Sequence, residues 1–197
     1  MSSINTSSET FKQDIENALK VLRDGGIILY PTDTIWGLGC DATNKIATER
    51  IYNIKQRHSS KSMIVLLADI GMIESYTAQL PDVAFQLLEC TTKPTTIIYD
   101  GAKNLADNIV AEDNSIAIRI TDEVFSQTLA RKFKRPIVST SANIAESASP
   151  TTFRDIDSQI IESVDYVVKY RQDDHRKTVP SSIIKLQSDG RVVIIRE

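Results

Sequence analysis

The run Lys55-Gln56-Arg57-His58-Ser59-Ser60-Lys61 gathers three strong cations, Lys55, Arg57 and Lys61, into one short stretch. Cations at the mouth of a strand can hold a triphosphate, and an arginine can grip phosphate through two parallel hydrogen bonds. Lys55 and Arg57 stand two positions apart, so on a helix they point to roughly opposite sides. If the helix ends near Ile54 and the chain then extends, both can face one side. Lys61 lies just before the apolar stretch Met63 to Leu67. On spacing alone, a solvated basic turn at a helix end is the favoured reading of the same run.

Ser139-Thr140-Ser141-Ala142-Asn143 follows the apolar pair Ile137-Val138. Small hydroxyl residues past a strand end can donate to phosphate or carboxylate while letting a ligand approach the backbone. In open α/β sheets, ligands collect outside the carboxyl ends of strands. Pro31-Thr32-Asp33-Thr34, after Ile27 to Tyr30, has the same topology. Taken singly, each also reads as an ordinary polar turn. Other chemistry has little to build on. The chain has no Walker A loop, Gly-x-Gly-x-x-Gly or His-Glu-x-x-His motif, and no Gly-x-Ser-x-Gly elbow. Its histidines, His58 and His175, read as solvated loop residues.

The elements that must position these residues follow from periodicity. Thr10 and Gln13 resemble a capping box opening a helix through Phe11, Ile15, Leu19 and Leu22, which Gly25-Gly26 stops. Ile27 to Tyr30 reads as a buried strand ended by Pro31. A second helix starts near Asn44, with Ala47, Ile51 and Ile54 on one face. Met63 to Leu67, Thr96 to Tyr99 and Ser115 to Ile120 read as strands, and Pro81 opens a helix between the first two. Asp122 can cap a helix through Val124, Leu129 and Phe133. Ile137-Val138 then leads into a loop from Ser139 to Ser149, and a short helix follows Thr151 and Phe153. Tyr166 to Lys169 reads as a strand. Tyr170 to Lys177 reads as a charged, mobile surface loop without a role. Asp189-Gly190 joins Ser182–Leu186 to Arg191–Arg196 as a hairpin. The class is α/β with a mixed sheet.

The chain has 197 residues, 41% hydrophobic and 25% charged, which suits one domain spanning 1–197 with enough buried surface to need no disulfide or metal staple. A net charge of −3 makes non-specific attraction to nucleic acid weak, so any polyanion site must be a local cluster of cations. Cys40 and Cys90 read as two buried free thiols in a reducing compartment. The polar N-terminus lacks the apolar core of a signal peptide, and the longest apolar run, Met63 to Ala68, falls far short of the ~20 residues that span a bilayer. A soluble, cytoplasmic protein is expected.

Taken together, these segments resemble the YrdC family, whose members include threonylcarbamoyl-AMP synthases. The resemblance runs, in family order, through Tyr30-Pro31-Thr32-Asp33-Thr34-Ile35-Trp36-Gly37-Leu38-Gly39, Lys55-x-Arg57 with Lys61, and Ser115 to Arg119. It resumes at Ser139 to Asn143 with Ser149-Pro150-Thr151, then Pro180 to Ile184, and ends at Ile194-Ile195-Arg196. The Lys-x-Arg and Ser-x-Asn pair with the Pro-Thr-Asp-Thr loop is the specific combination. The stretch Thr92-Lys93-Pro94-Thr95-Thr96 departs from the family's Pro-Gly-Pro-like segment. With the chain ending soon after Arg196, the short form without an extra C-terminal domain is expected.

The resemblance implies a twisted mixed sheet with flanking helices and a positively charged concave face. It implies that Lys55, Arg57, Ser141 and Asn143 serve catalysis, and that Thr32, Arg119, Ser139 and Ser181 lie near threonine. It implies that Arg57, Lys61, Thr96, Ser141, Ser149 and Arg196 lie near ATP. The implied reaction makes L-threonylcarbamoyl-adenylate and pyrophosphate from L-threonine, bicarbonate and ATP, for threonylcarbamoyl modification of tRNA adenosine by separate proteins. Mg²⁺ arrives with ATP and needs no dedicated protein site. Two alternatives compete: a carbamoyl-adenylate-forming domain acting on carbamoyl phosphate, and an RNA-binding module. The first belongs to proteins with an acylphosphatase-like region and four-cysteine zinc fingers, which this chain cannot hold. Against the second stands the negative net charge, which makes any RNA binding weak.

Overall fold

The computed structural model describes residues 2–57, 63–78, 80–176, 178–187 and 189–197, with side chains from residue 8 onward. Helix α1 (Ser2–Arg23) buries Ile15, Ala18, Leu19 and Leu22, spaced three and four apart so that they share one stripe. It passes straight through Thr10, so the expected capping box does not open it. Neither glycine nor proline precedes Thr10 to stop a helix, and Gln13 bonds Asn17 one turn on. Gly25, at φ +78°, does end it, and the Gly25 and Gly26 amides return to the carbonyls of Leu22 and Val21.

Strand β1 (Ile28–Tyr30) is wholly buried and pairs antiparallel with β2 (Gly37–Gly39). The sequence pattern gave no sign of β2, because Gly-Leu-Gly has no apolar alternation. Gly39 is needed there, since a Cβ would come within 2.6 Å of the Tyr30 ring. Helix α2 (Lys45–Lys55) starts where expected, with the Asn44 side chain accepting from the Ile46 and Ala47 amides. Strand β3 (Ile64–Leu67), helix α3 (Val83–Cys90), and strands β4 (Thr95–Asp100) and β5 (Ser115–Ile120) follow.

Helix α4 (Val124–Phe133) is capped by Glu123 and not by Asp122: the helix begins one residue later, and the Glu123 carboxylate accepts the Ser126 amide at 2.8 Å. Strand β6 (Ile137–Ser141) runs on through residues expected in a loop. Ser139 pairs with Ile64 on one side and Ser141 with Gly37 on the other, so backbone pairing overrides hydroxyl composition. A 3-10 turn at Phe153–Asp155 and the short helix α5 (Ser158–Glu162) precede β7 (Tyr166–Val167), and β8 (Ser182–Leu186) with β9 (Val192–Arg196) forms the closing hairpin.

Among the described residues nine strands form one mixed sheet in the order β7-β1-β2-β6-β3-β5-β4-β8-β9. The pairs β1/β7, β3/β5 and β4/β8 run parallel and the others antiparallel. Both cysteines are free, but only Cys40 is buried; Cys90, at the end of α3, is exposed, correcting the expectation of two buried thiols. No described helix is long and apolar enough to cross a membrane.

Candidate functional site

Strand register fixes which side chains share a face. Ser139, Ile64, Ala117 and Ile98 lie in one cross-strand row, and Arg119, Thr96, Ile183 and Arg196 in the next. Over this face opens a cavity of about 290 Å³. Ile64, Ile98, Ala117, Ile183 and Ile195 give it an apolar floor, and Thr34 to Gly37 make one wall. Its polar groups are Arg57, Arg119, Arg196, Ser139, Thr140, Ser141, Ser149 and Ser181. No carboxylate is among the described residues lining it. A bulge in β9 lets Arg196 face Ile183 while Ile194 faces Ile184, so the adjacent residues Ile195 and Arg196 both reach the cavity.

The basic run splits into two roles. Helix α2 ends at Lys55, and Gln56 turns the chain through the left-handed region at φ 50°. Arg57 then enters the cavity wall. Lys55 turns the other way and is 2% exposed. Its ammonium donates to the carbonyls of Ser141 and Asn143, and to Asn143 Oδ1 at 3.4 Å. Its own carbonyl accepts the Ala145 amide at 2.7 Å. Lys55 therefore fastens the Ser141–Ala145 segment to the end of α2 and does not line the cavity. Burial, then the neighbouring Arg57 charge, pulls its pKa down to about 7. Lys61 and His58 lie outside the described residues.

Arg119 projects from the centre of the sheet and meets Asp33 at 3.2 Å, with side chains only 4% and 5% exposed. Burial raises the Asp33 pKa and Arg119 opposes the rise. Arg119 Nε and Asp33 Oδ1 make contact with no hydrogen-bond partner among the described residues, so the ion pair is close but poorly aligned. Arg119 thus keeps donor capacity at the cavity. Arg196 spends part of its fork on the Ser181 carbonyl, at 3.0 and 2.7 Å. Burial, then the charge of Arg119, lowers its pKa, and burial lowers that of Arg57. Guanidiniums drawn together without an acid in the lining suit an anionic ligand.

Seven of the expected residues, Arg57, Arg119, Ser139, Ser141, Ser149, Ser181 and Arg196, line the one cavity. Four others stand behind it. Thr32 closes its own turn, donating to the Ile35 carbonyl at 2.7 Å and accepting the Thr34 amide at 3.1 Å. The Thr96 hydroxyl lies 2.8 Å from that of Ser181, supporting it from below. Asn143 donates to the carbonyls of Ile144 and Ser147. Lys55 is the fourth. Sequence reasoning named Thr34, Trp36 and Thr140 within its motifs without giving them a role, and passed over the isoleucine floor. Strand β3 is apolar throughout and β4 and β8 carry adjacent isoleucines, so no alternation marked which of them form the floor.

Tyr170 to Lys177 does not read as expected over its described part. His175 and Arg176 are exposed, but the Arg171 side chain is only 19% exposed. Arg171 contacts Glu123 at 3.3 Å and Asp174 at 3.1 Å, and donates to the Thr32 carbonyl at 3.2 Å. Arg171 and Asp174 are satisfied within the protein, where sequence alone suggests solvent, while Asp173 is exposed as expected. Lys177 lies outside the described residues.

The family model Sua5/YciO/YrdC, described as telomere recombination, matches residues 20–197. A protein of Methanocaldococcus jannaschii is 35% identical over 192 residues, 97% of this chain and 88% of that protein. The threonylcarbamoyl-AMP synthase of Pseudoalteromonas translucida is 32% identical over 157 residues, 78% of this chain and 84% of that protein. The fold matches that of P. abyssi Sua5 complexed with L-threonine at a TM-score of 0.82 and 22% identity. That match covers 92% of this chain and 53% of the other, so this chain spans about half the Sua5 length.

Proposed function

The chain belongs to the Sua5/YciO/YrdC family, and from that premise we propose that it makes L-threonylcarbamoyl-adenylate and pyrophosphate from L-threonine, bicarbonate and ATP. The observation that carries the proposal is the cavity itself. Arg57, Arg119 and Arg196 converge with a row of serine and threonine hydroxyls over an apolar floor. The activity named for the Pseudoalteromonas translucida relative fits that inventory.

Threonine amine and bicarbonate condense, with loss of water, to a carbamate. A carbamate oxygen then attacks the α-phosphorus of ATP; the new O–P bond forms as the bond to pyrophosphate breaks. Such a transfer needs alignment and charge stabilisation more than a protein nucleophile. In this reading Arg57, Arg196, Ser141 and Ser149, with Lys61, take the phosphates. Arg119, Ser139 and Ser181 take threonine, Arg119 meeting its carboxylate. Lys55 and Asn143 shape the segment that carries Ser141, Thr96 supports Ser181, and Thr32 shapes the wall loop. ATP enters as its magnesium complex, the metal travelling with the substrate. The adenylate passes to separate proteins that modify tRNA adenosine in the cytoplasm, with RNA binding by this chain weak at most.

The test is pyrophosphate release by the purified protein given ATP, Mg²⁺, bicarbonate and single amino acids. Release is expected only with threonine and bicarbonate together. Serine is expected to serve weakly, because one methyl group in a fitted pocket discriminates by about 1–3 kcal/mol. Equal turnover on carbamoyl phosphate without an amino acid would overturn the proposal.

A further inference from the structure

The wall loop Pro31–Thr34 carries Asp33, the partner of Arg119, and ends in Thr34 at the cavity. Behind that wall, on the side away from the cavity, Thr32, Thr34 and Trp36 line a narrow crevice together with Arg171 and Asp174. Arg171 grips the loop backbone through a charged group: its Nη1 donates to the Thr32 carbonyl.

Its placement is built, not incidental. The chain leading to it is pinned to α1, where buried Asp14 accepts the amides of Lys169 and Tyr170 at 2.9 and 2.6 Å. The Tyr170 ring packs against Phe11 and Phe125. Arg171 itself sits at φ 67°, a left-handed backbone that a residue with a Cβ adopts only when its surroundings demand it. Its guanidinium is braced on both sides. Glu123, whose other oxygen caps α4, meets Nη1, and Asp174 meets Nε. Hydrogen bonds from Arg176, and then from Arg171, hold the Asp174 carboxyl below the usual carboxylate range, so the brace stays charged.

We propose that Arg171 is a positioning residue: braced by Glu123 and Asp174, it fixes the Thr32 carbonyl and so the loop that presents Asp33 to Arg119. Arg171 itself does not line the cavity. It acts on the half of the site that the proposed function gives to threonine, and its kinetic arm rests on that reading. Loss of the grip lets the loop drift, and the Asp33–Arg119 pair with it. Among the described residues, the polar contacts of Arg171 are with Glu123, Asp174 and Thr32, none of them in the phosphate half built on α2, β6 and β9.

The experiment compares wild type with Arg171→Ala, Arg171→Gly, Arg171→Lys and the control Lys20→Ala. Lys20 is exposed on α1 and pairs with Asp24, away from the brace and the loop. Arg171→Gly removes the side chain while favouring the left-handed backbone, so it separates loss of grip from misfolding. Two readouts are taken: pyrophosphate release with threonine and ATP varied separately, and amide hydrogen exchange at Asp33 and Thr34 relative to β1. In the alanine and glycine variants the KM for threonine is expected to rise at least about tenfold while that for ATP moves less than about twofold. Exchange at Asp33 and Thr34 should quicken at least about tenfold, reporting local opening without global unfolding. Arg171→Lys should recover only part of both effects, because an ammonium cannot meet both carboxylates and the carbonyl at once. Unchanged exchange in Arg171→Gly, or equal rises in both KM values, overturns the proposal. If wild type releases no pyrophosphate, the functional reading fails, and the exchange readout still decides the role of Arg171.

Discussion

Arg119 and Arg196 bring the same charge to the same cavity from opposite conditions. Arg119 stands on β5, in the interior of the sheet, with ladders on both sides and a buried carboxylate against it. Arg196 stands on β9, an edge strand whose residues are all exposed and which, among the described residues, pairs with β8 alone. The central half of the cavity is therefore held by burial, where any change is felt by the whole fold. The edge half is held by one hairpin, a bulge, and two hydrogen bonds to the Ser181 carbonyl. The consequence is that stability and substrate use should separate along the sheet. Substitutions at the centre damage both, and substitutions at the edge damage use alone.

The largest effect should come from Arg119→Ala. It leaves Asp33 buried without its counter-charge, and breaking such a pair costs about 3–5 kcal/mol. Denaturant unfolding checks the figure. Asp33→Asn combined with Arg119→Met removes both charges and should recover much of the stability while leaving threonine use abolished. If the single variant unfolds like wild type, the contrast between centre and edge fails at its strongest point.

Lys55 tests the next layer, since it is as buried as the centre but reaches no cavity wall. Its folded pKa of about 7 lies below its ordinary value of 10.5. Between those values the unfolded chain binds more protons than the folded one, so stability rises with pH across that window. The Lys55 contribution to the slope approaches about 1.4 kcal/mol per pH unit. Below pH 7 both states are protonated and the contribution is flat. Lys55→Met should lose this rise, and should lose roughly 2 kcal/mol, because the half-buried Asn143 carbonyl loses its donor and that of Ser141 keeps only the Asn143 amide among the described residues. Urea melts from pH 6 to 10, wild type against variant, measure both. Parallel curves would mean that Lys55 keeps its ordinary pKa and that the three oxygens hold its charge against burial.

These contrasts also show what a linear sequence can tell. Apolar runs revealed β1, β3, β4 and β5, because burial of a strand demands them. The hydroxyl segment Ser139–Ser141 and the Gly-Leu-Gly of β2 did not read as strands, since their pairing depends on backbones meeting and not on side-chain pattern. The cations at Arg57, Arg119 and Arg196 were recognised through family motifs, and spacing alone left Arg57 in a solvated turn. The inward turn of Lys55 was out of reach, because its acceptor Asn143 lies 88 positions further on. Arg171 was misread for the same reason: its carbonyl partner is 139 positions away, and a run of charges looks solvated until the fold supplies such partners.

The smallest effect on stability, and the sharpest test of the separation, comes from pairing Arg57→Ala with Arg196→Ala. Neither residue lies in the buried Asp33–Arg119 ion pair. Arg196→Ala gives up two hydrogen bonds to one carbonyl at an exposed edge, which should cost about 1 kcal/mol or less, because water can replace the donor. Arg57→Ala should leave the thermal melt similarly close to wild type. Substrate use should fall much further. A guanidinium that meets phosphate forms charge-assisted hydrogen bonds worth about 1.5–3 kcal/mol, equal to roughly a tenfold to hundredfold loss in kcat/KM for ATP. Arg57→Lys should recover part of that loss, since the ammonium keeps the charge but not the fork. Steady-state pyrophosphate release with ATP varied, beside thermal melts, sets the two axes against each other. If Arg196→Ala lowers the melt as far as Arg119→Ala does, the edge hairpin is part of the folding core and the division fails. If neither variant alters ATP use, these two arginines do not meet phosphate, and the nucleotide must lie elsewhere on the sheet.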